Sequence, residues 1–375
     1  MKLLITTPYL RVIGGTEIET LTTAQALAEL GKFEEIQIFS PYKFDLGELG
    51  GLAESSKISF ISYPNFFKNN YVQKVSHFIL SRISPGAKNI EDLFWYSKRV
   101  NRYDFIYMLT STTDNYYLPI LKKIEPESCL TKFTLIYNDR LPPWKKVFFQ
   151  KVKQNIVASS KQKQSFKEKF DLSNVVVQDI LIANEENLLK CNSNRQYTFG
   201  ILCRFSREKQ VEDSILLIKT LKEQGAEVNL IIQGEGDEEY QKEIQEMIFR
   251  HKLQESITLI RKGISPLKTH LFYEKISFFL ITSKFETGPM TGLEAMAAGV
   301  PVLSYDVGAM KERMGDMNFM VVDGLKELAG LAEKFINLGN YDYTKLSTTL
   351  RNRYISHCSN AGKVEKLEQL IFNNG

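Results

Sequence analysis

The chain has 375 residues, more than one ordinary hydrophobic core holds, so two domains are expected. Hydrophobic residues at 43% and charged residues at 25% supply material for two cores, and a net charge of +4 is too mild to point to nucleic acid. Cys129, Cys191, Cys203 and Cys358 form no Cys-x-x-Cys pair and His77, His251, His270 and His357 lack ligand spacing, which argues against a disulfide framework or a zinc site and for a reducing cytosol.

The start, MKLLITTPYL, reads as a first strand rather than a signal peptide: its apolar run is short and carries Thr6, Thr7 and Pro8. In the first half, strands are predicted at 2–7, 35–40, 57–62, 104–109, 132–137 and 155–158, with helices at 17–30, 90–101 and 161–169. The polar run NEENLLKCNSNRQ at 184–196 breaks the alternation and predicts the linker. Beyond it, strands are predicted at 197–203, 228–233, 257–260, 276–282, 301–304 and 318–322. Helices are predicted at 210–224, 237–251, 290–298 and 325–337, with 342–373 helical throughout. The apolar ISFFLIT at 276–282 is a buried strand, far too short to span a bilayer. This alternation implies an α/β protein: an N-terminal doubly wound domain over 1–190 and a C-terminal one over 191–375. Open parallel sheets bind ligands beyond the carboxyl ends of their strands, so the residues just after strands matter most.

Five such places stand out. In SKFETGPMTGLEAMAAGVPV, a strand ends at Thr282 and a loop carries Glu286, Thr287 and Gly288. Pro289 and Met290 then open a helix that holds Glu294 and closes at Gly299. That helix N-terminus, with free N–H groups and a positive dipole end, suits a diphosphate or a sugar hydroxyl, although a plain helix cap with two solvated glutamates fits the spacing equally. In FGILCRFSREKQ, a strand delivers a basic loop with Arg204 and Lys209, which read alone is also ordinary surface basicity. Gly14 and Gly15 follow the first strand and open the first helix, where backbone can approach a phosphate or simply turn tightly; there is no Gly-x-Gly-x-x-Gly. Gly234-Glu-Gly236 and Ile260-Arg-Lys-Gly263 also follow strands.

Two glutamates seven residues apart, followed by AMAAGVPV, resemble the signature of the retaining family-four glycosyltransferases of the GT-B fold. The resemblance implies two Rossmann-like domains facing a central cleft. It places Glu286 against the donor sugar and Glu294 on the ribose hydroxyls, while Arg204 and Lys209 clamp the diphosphate. Gly14 and Gly15 would close over phosphate and sugar. Gly234 would lie beside the donor, Lys262 and Gly263 against the base, and Gly288, Pro289 and Met290 at the phosphate. In the first domain NIVASSKQKQSFKEKF at 155–170 is similar to the strand, serine and helix that lead to the family's linker. Two departures matter. Where many relatives carry a histidine near the donor sugar, this chain has Tyr137-Asn138-Asp139-Arg140, so the resemblance implies that Asn138 or Asp139 takes over that contact. Lys284 and Thr287 replace residues that are small or glycine in relatives.

The function this implies is transfer of a sugar, with retention, from a nucleotide diphosphate-sugar to a glycan or lipid-linked acceptor in cell-surface polysaccharide or glycoconjugate synthesis. UDP is favoured by family frequency, with no metal, no cofactor and no nucleic acid. The alternatives are a non-catalytic GT-B subunit that binds glycan or a partner, and a sugar-nucleotide epimerase. Lysines at 145–169, with Trp144, Phe148 and Phe149, and the mixture Phe66, Phe67, Lys68, Tyr71, Lys74 and Arg82 suit an anionic membrane surface; a solvated basic face is the alternative. A cytoplasmic chain, peripheral on the inner face of the membrane, follows.

Overall fold

The computed structural model describes residues 1–10, 14–83, 89–98, 100–121, 124–135, 141–192 and 197–373. It resolves into two compact units, 1–178 together with 364–375, and 179–363.

The first unit carries β1 (Lys2–Thr6), β2 (Glu35–Ser40), β3 (Ile58–Ser62), β4 (Phe105–Ser111), β5 (Cys129–Leu135), β6 (Gln154–Val157) and β7 (Val175–Val177), in the order β3-β2-β1-β4-β5-β6-β7. Every pairing is parallel. Strands such as FIYMLTS (β4) are buried along their whole length, as a sheet covered on both faces requires. The first two helices of this unit are α1 (Gly15–Glu29) and α2 (Asn70–Ile83). A buried aromatic cluster fills one side of the core. Phe39 meets Tyr63 and Trp95 edge-on at 5.0 and 4.7 Å, and the Trp95 indole donates to the Tyr63 hydroxyl at 2.9 Å.

The second unit carries β8 (Thr198–Leu202), β9 (Asn229–Gln233), β10 (Ile257–Ile260), β11 (Phe278–Ile281), β12 (Val302–Tyr305) and β13 (Val321–Val322), in the order β10-β9-β8-β11-β12-β13. It too is wholly parallel. In each sheet the chain winds outward one way and then returns to wind the other. The order reverses beside β1 and β4 in the first sheet and beside β8 and β11 in the second. A reversal opens a crevice at the strand carboxyl ends, because the connections on its two sides leave in opposite directions.

Several details depart from the sequence reading, among them the short helix Glu185–Leu189 inside the predicted linker. The strand β7 was not expected; three valines are too short a run to register. The stretch 342–373 is two helices, Asn340–His357 and Asn360–Phe372, broken at Cys358 and Ser359. The helix α2 was not expected because much of its apolar surface faces solvent, so no core-facing pattern stood out. Finally, the compact units meet at 178/179, where the sequence reading put 190/191. Residues 179–191 belong with the second unit by their bonds: Asp179 pairs with Arg313, and the Asn360 side chain bonds both the N–H and the C=O of Ile182 at 3.0 and 2.7 Å. The chain end belongs with the first: Phe372 packs on Phe33 at 5.5 Å, and Lys153 donates to the Ile371 carbonyl at 2.9 Å.

Candidate functional site

The second unit's crevice is built from the loops after β8 and β11. After β8 the chain passes through Arg204 and a single 3₁₀ turn, Arg207–Lys209, before the helix Val211–Glu223. After β11 it passes through 282–289 into the helix Met290–Ala298. Backbone and side chains lace the loops together. The Lys284 N–H donates to the Glu208 carbonyl at 2.8 Å, and the Thr282 hydroxyl donates to the Lys209 carbonyl at 3.1 Å. Lys209 and Glu286 therefore meet, although 77 residues separate them, and they form an ion pair. Both are largely buried, and the Ser283 hydroxyl donates to the same Glu286 oxygen at 3.0 Å. An ammonium has three protons, so a Lys209 held by one carboxylate keeps two for another anion. Arg204 is more exposed and lies 3.4 Å from Glu208. Burial alone would raise the Glu208 carboxyl, but the Ser206 hydroxyl, its own backbone and the neighbouring cations outweigh it and hold the carboxyl low.

Pro289 stands at the N-cap of the Met290–Ala298 helix, one residue earlier than the first turn expected for it. Its carbonyl is fixed from behind. Arg313, almost wholly buried, donates to it at 2.6 Å and grips Asp179 with two further bonds of 2.7 and 2.5 Å. Gly308 matters to the same loop. It sits at φ +55°, and a Cβ there would come within 2.7 Å of the Thr287 carbonyl oxygen. Gly288 is half-buried beside Thr287, and Met290 is buried.

Glu294 is only 3% exposed. One of its oxygens accepts from Thr269 at 3.3 Å and the other lies 3.0 Å from the Tyr273 hydroxyl. Burial pushes its carboxyl up to about 7 despite those two bonds. The solvated glutamate offered by spacing alone is thus not what forms.

Gly234 and Gly236 have a packing reason for being glycine. A Cβ on Gly234 would run into the Cys203 carbonyl, and one on Gly236, at φ +148°, into Phe205 backbone. The strand ends β8 and β9 thereby close tightly behind Arg204, with the Phe205 N–H donating to the Glu235 carbonyl at 2.9 Å. A Cβ on Gly263 would sit 3.1 Å from the Glu235 carboxyl, and Gln233 donates to the exposed Lys262's carbonyl at 3.3 Å.

The first unit's crevice has a different lining. Gly14 caps α1 with extended backbone, and a Cβ added to Gly15 would touch nothing. Thr20 donates to the Thr16 carbonyl at 2.7 Å and lies 3.1 Å from the Thr7 hydroxyl. After β4, Asp114 accepts from the Ser111 N–H at 2.7 Å, while buried Lys145 donates to the carbonyls of Thr112 and Asp114 at 3.1 and 2.6 Å. Lys145 therefore holds a turn rather than facing outward. Asn138 and Asp139 lie outside the described residues.

Sequence reasoning missed Ser283, Thr269, Tyr273 and Arg313. Ser283 is three residues from its partner and was within reach, but Arg313 is 134 residues from Asp179 and left no local signal. Among the described residues, no three His, Cys, Asp or Glu side chains gather into a set that could hold a metal ion, and no helix is long and apolar enough to cross a membrane.

Two parallel doubly wound sheets, the second carrying a basic loop, the Lys209–Glu286 ion pair, the buried Glu294 and a helix N-terminus at its crevice, define the GT-B class of fold. Residues 189–353 match the family of glycosyl transferases group 1. A stretch of 200 residues is 28% identical to the alpha-monoglucosyldiacylglycerol synthase of Streptococcus pneumoniae (strain ATCC BAA-255 / R6), covering 51% of this chain and 44% of that protein. The match thus spans less than half the length of that relative. Among solved structures, a glycosyltransferase from Rickettsia africae ESF-5 is similar over 100% of this chain and 99% of its own, at a TM-score of 0.74 and 18% identity. HepE of Anabaena, solved with UDP and glucose, is similar over 100% of both chains at 0.70 and 14%. TarM of S. aureus, solved with Fondaparinux, alpha-GlcNAc-glycerol and UDP, covers 99% of this chain and 100% of its own at 0.73 and 14%. At these identities the solved structures speak for the fold.

Proposed function

We propose that the chain transfers a sugar from a nucleoside diphosphate-sugar, UDP-linked by preference, to a hydroxyl of a glycan or lipid-linked acceptor, with retention of configuration. The observation that carries this is the Lys209–Glu286 pair, set across the β8 and β11 strand ends beside the N-terminus of the Met290–Ala298 helix. The two protons of Lys209 not held by Glu286, the exposed guanidinium of Arg204 and the helix N–H groups converge on one anion, which a diphosphate matches. Gly15, open in front, admits a phosphate or sugar close to backbone.

The reaction then follows. The acceptor oxygen bonds the anomeric carbon as the bond to the diphosphate oxygen breaks, and that electron pair leaves on the diphosphate. The departing oxygen, on the same face as the incoming one, takes the acceptor's proton. Positive charge builds on the sugar ring and negative charge on the diphosphate; Glu286 stabilises the first, and Arg204 and Lys209 the second. Glu294, its oxygens each still holding a lone pair beyond the bonds from Thr269 and Tyr273, accepts from the ribose hydroxyls. The glycolipid-synthase name of the pneumococcal relative supports an acceptor carried at a lipid surface.

A thermal-shift panel of nucleotides and nucleotide-sugars tests the reading. A ligand at about 100 times its dissociation constant stabilises by about 2.7 kcal/mol, so a nucleoside diphosphate should raise the midpoint clearly and its nucleoside should not. Equal shifts for both would remove the diphosphate from the account.

A further inference from the structure

The turn that carries Lys209 is strained. Gln210, the next residue, sits at φ +46° and ψ +51°, a left-handed backbone that a side chain makes unfavourable. Tyr197 and Lys252 are the other described non-glycine residues of this unit with positive φ, and they precede β8 and β10 at the opposite end of the sheet. Strain of this kind persists only where surrounding contacts hold it, and beside a reacting group it can aim that group. At Gln210 it does so. The left-handed turn lets the helix Val211–Glu223 start at once, while the Lys209 carbonyl still accepts from Thr282 and the Lys209 ammonium still reaches Glu286.

Two side chains hold Gln210 in place. Its amide donates to Asp213, the third residue of the helix, and the Tyr305 hydroxyl donates to the same Asp213 oxygen at 2.5 Å. The Asp213 N–H donates back to the Gln210 carbonyl at 3.2 Å and closes the turn. Burial and the bond to Asp213 push the Tyr305 hydroxyl up, so it remains a donor. Glu212, next door, is engaged elsewhere and accepts from Tyr240 at 2.6 Å. Tyr305 ends β12, and the same strand end supports the other member of the ion pair. The Val307 N–H donates to the Tyr305 carbonyl at 2.8 Å, and the chain then turns through Gly308. A Cβ on Gly308 would stand 2.7 Å from the Thr287 carbonyl oxygen and 3.0 Å from that of Glu286. One strand end thus backs Lys209 through Asp213 and Gln210, and Glu286 through Gly308.

We propose that Tyr305, Asp213 and Gln210 are positioning residues for sugar transfer: they hold the strained turn that fixes the Lys209 ammonium against Glu286 and toward the departing diphosphate. The role rests on the proposed transfer reaction for its purpose, and it is exerted through Lys209 rather than by contact with the donor.

Donor turnover, UDP calorimetry and unfolding midpoints test this for the full chain, Gln210→Gly, Tyr305→Phe and the double variant. Gln210→Gly removes the tether and relieves the strain. Its kcat should fall about tenfold while the donor KM changes by less than about twofold, and its midpoint should hold or rise. UDP carries the charge that the diphosphate gains on leaving, so it should bind this variant about tenfold more weakly. Tyr305→Phe should show the same split between kcat and KM. The double variant should be no worse than the poorer single one, because both side chains act through one carboxylate. Glu212→Gln, on the same turn, should keep the parental kcat. A Gln210→Gly chain as fast as the parent, a kcat that falls only in step with the midpoint, or losses that multiply in the double variant would overturn the proposal. The two readings stay separable. A parent that binds UDP but turns over no donor strikes the transfer reaction, and UDP affinity then decides the positioning role; a parent that binds no UDP strikes both.

Discussion

The two crevices arise from the same topology and are lined by opposite chemistry. At β8 and β11 the loops bring together Arg204, Lys209, Glu286 and Glu294, with the last three largely removed from water. At β1, β2 and β4 the described loops carry threonines, a serine, a stacked tyrosine pair and one aspartate, with Lys145 spent on backbone carbonyls. A diphosphate needs fixed charge wherever it binds. An acceptor surface needs shape, hydroxyls and aromatic faces, which vary with the acceptor. The second crevice thus repeats a recognisable motif, and the first has little that a motif could fix.

That contrast can be broken in several places. The largest effect is expected at Arg313, which joins Asp179 to the Pro289 carbonyl from a buried position. Arg313→Met leaves the Asp179 carboxylate without its main partner, so denaturant unfolding should show a loss of about 3–5 kcal/mol. A loss under about 1 kcal/mol would mean that the donor loop does not depend on this anchor.

Next is Glu294→Gln, which keeps the size and removes the charge. Charged hydrogen bonds contribute about 1.5–3 kcal/mol, so calorimetric donor affinity should fall roughly ten- to a hundredfold at pH 8. Burial raises this carboxyl from the ordinary 4.5 to about 7, so its proton favours the folded chain. That contribution is complete below 4.5 and is lost as pH rises through about 7. Parental stability relative to the glutamine variant should therefore fall between pH 5 and 8, while parental donor affinity rises over the same window and the variant's stays level. A parental affinity independent of pH would take Glu294 off the ribose.

The first crevice should respond more weakly. Lys145→Met removes two bonds to the 112–114 turn, for about 1–3 kcal/mol of stability. Transfer to acceptor should slow while donor hydrolysis by water holds steady. Equal loss of both activities would erase the division of labour between the crevices.

These differences also explain what was legible from sequence. Alternating strands and helices gave the two doubly wound sheets, because fully buried parallel strands are apolar throughout. The glutamate spacing and the Arg204–Lys209 loop were readable because each lies within one loop or helix. The Lys209–Glu286 pairing, the Tyr273–Glu294 bond and the Arg313 anchor were not, since the winding of the sheet alone makes those residues neighbours. Gly234 was read as a donor contact, yet its glycine already answers to the Cys203 carbonyl. The lysines at 145–169 looked like one basic face, but Lys145 turns inward, and the exposure of α2 hid that helix from a search for core patterns.

The central claim is that Lys209, with Arg204 and a helix N-terminus, carries the charge that the diphosphate gains in the transition state. The direct measurement is the rate of UDP-sugar turnover, as transfer or as slow hydrolysis, in excess EDTA for the parent and for Lys209→Ala. The parent should keep its rate. The variant should lose about a hundredfold or more in kcat, as when one oxyanion donor is removed. A parental rate abolished by EDTA and restored by magnesium or manganese, or a variant that turns over like the parent, would contradict the account.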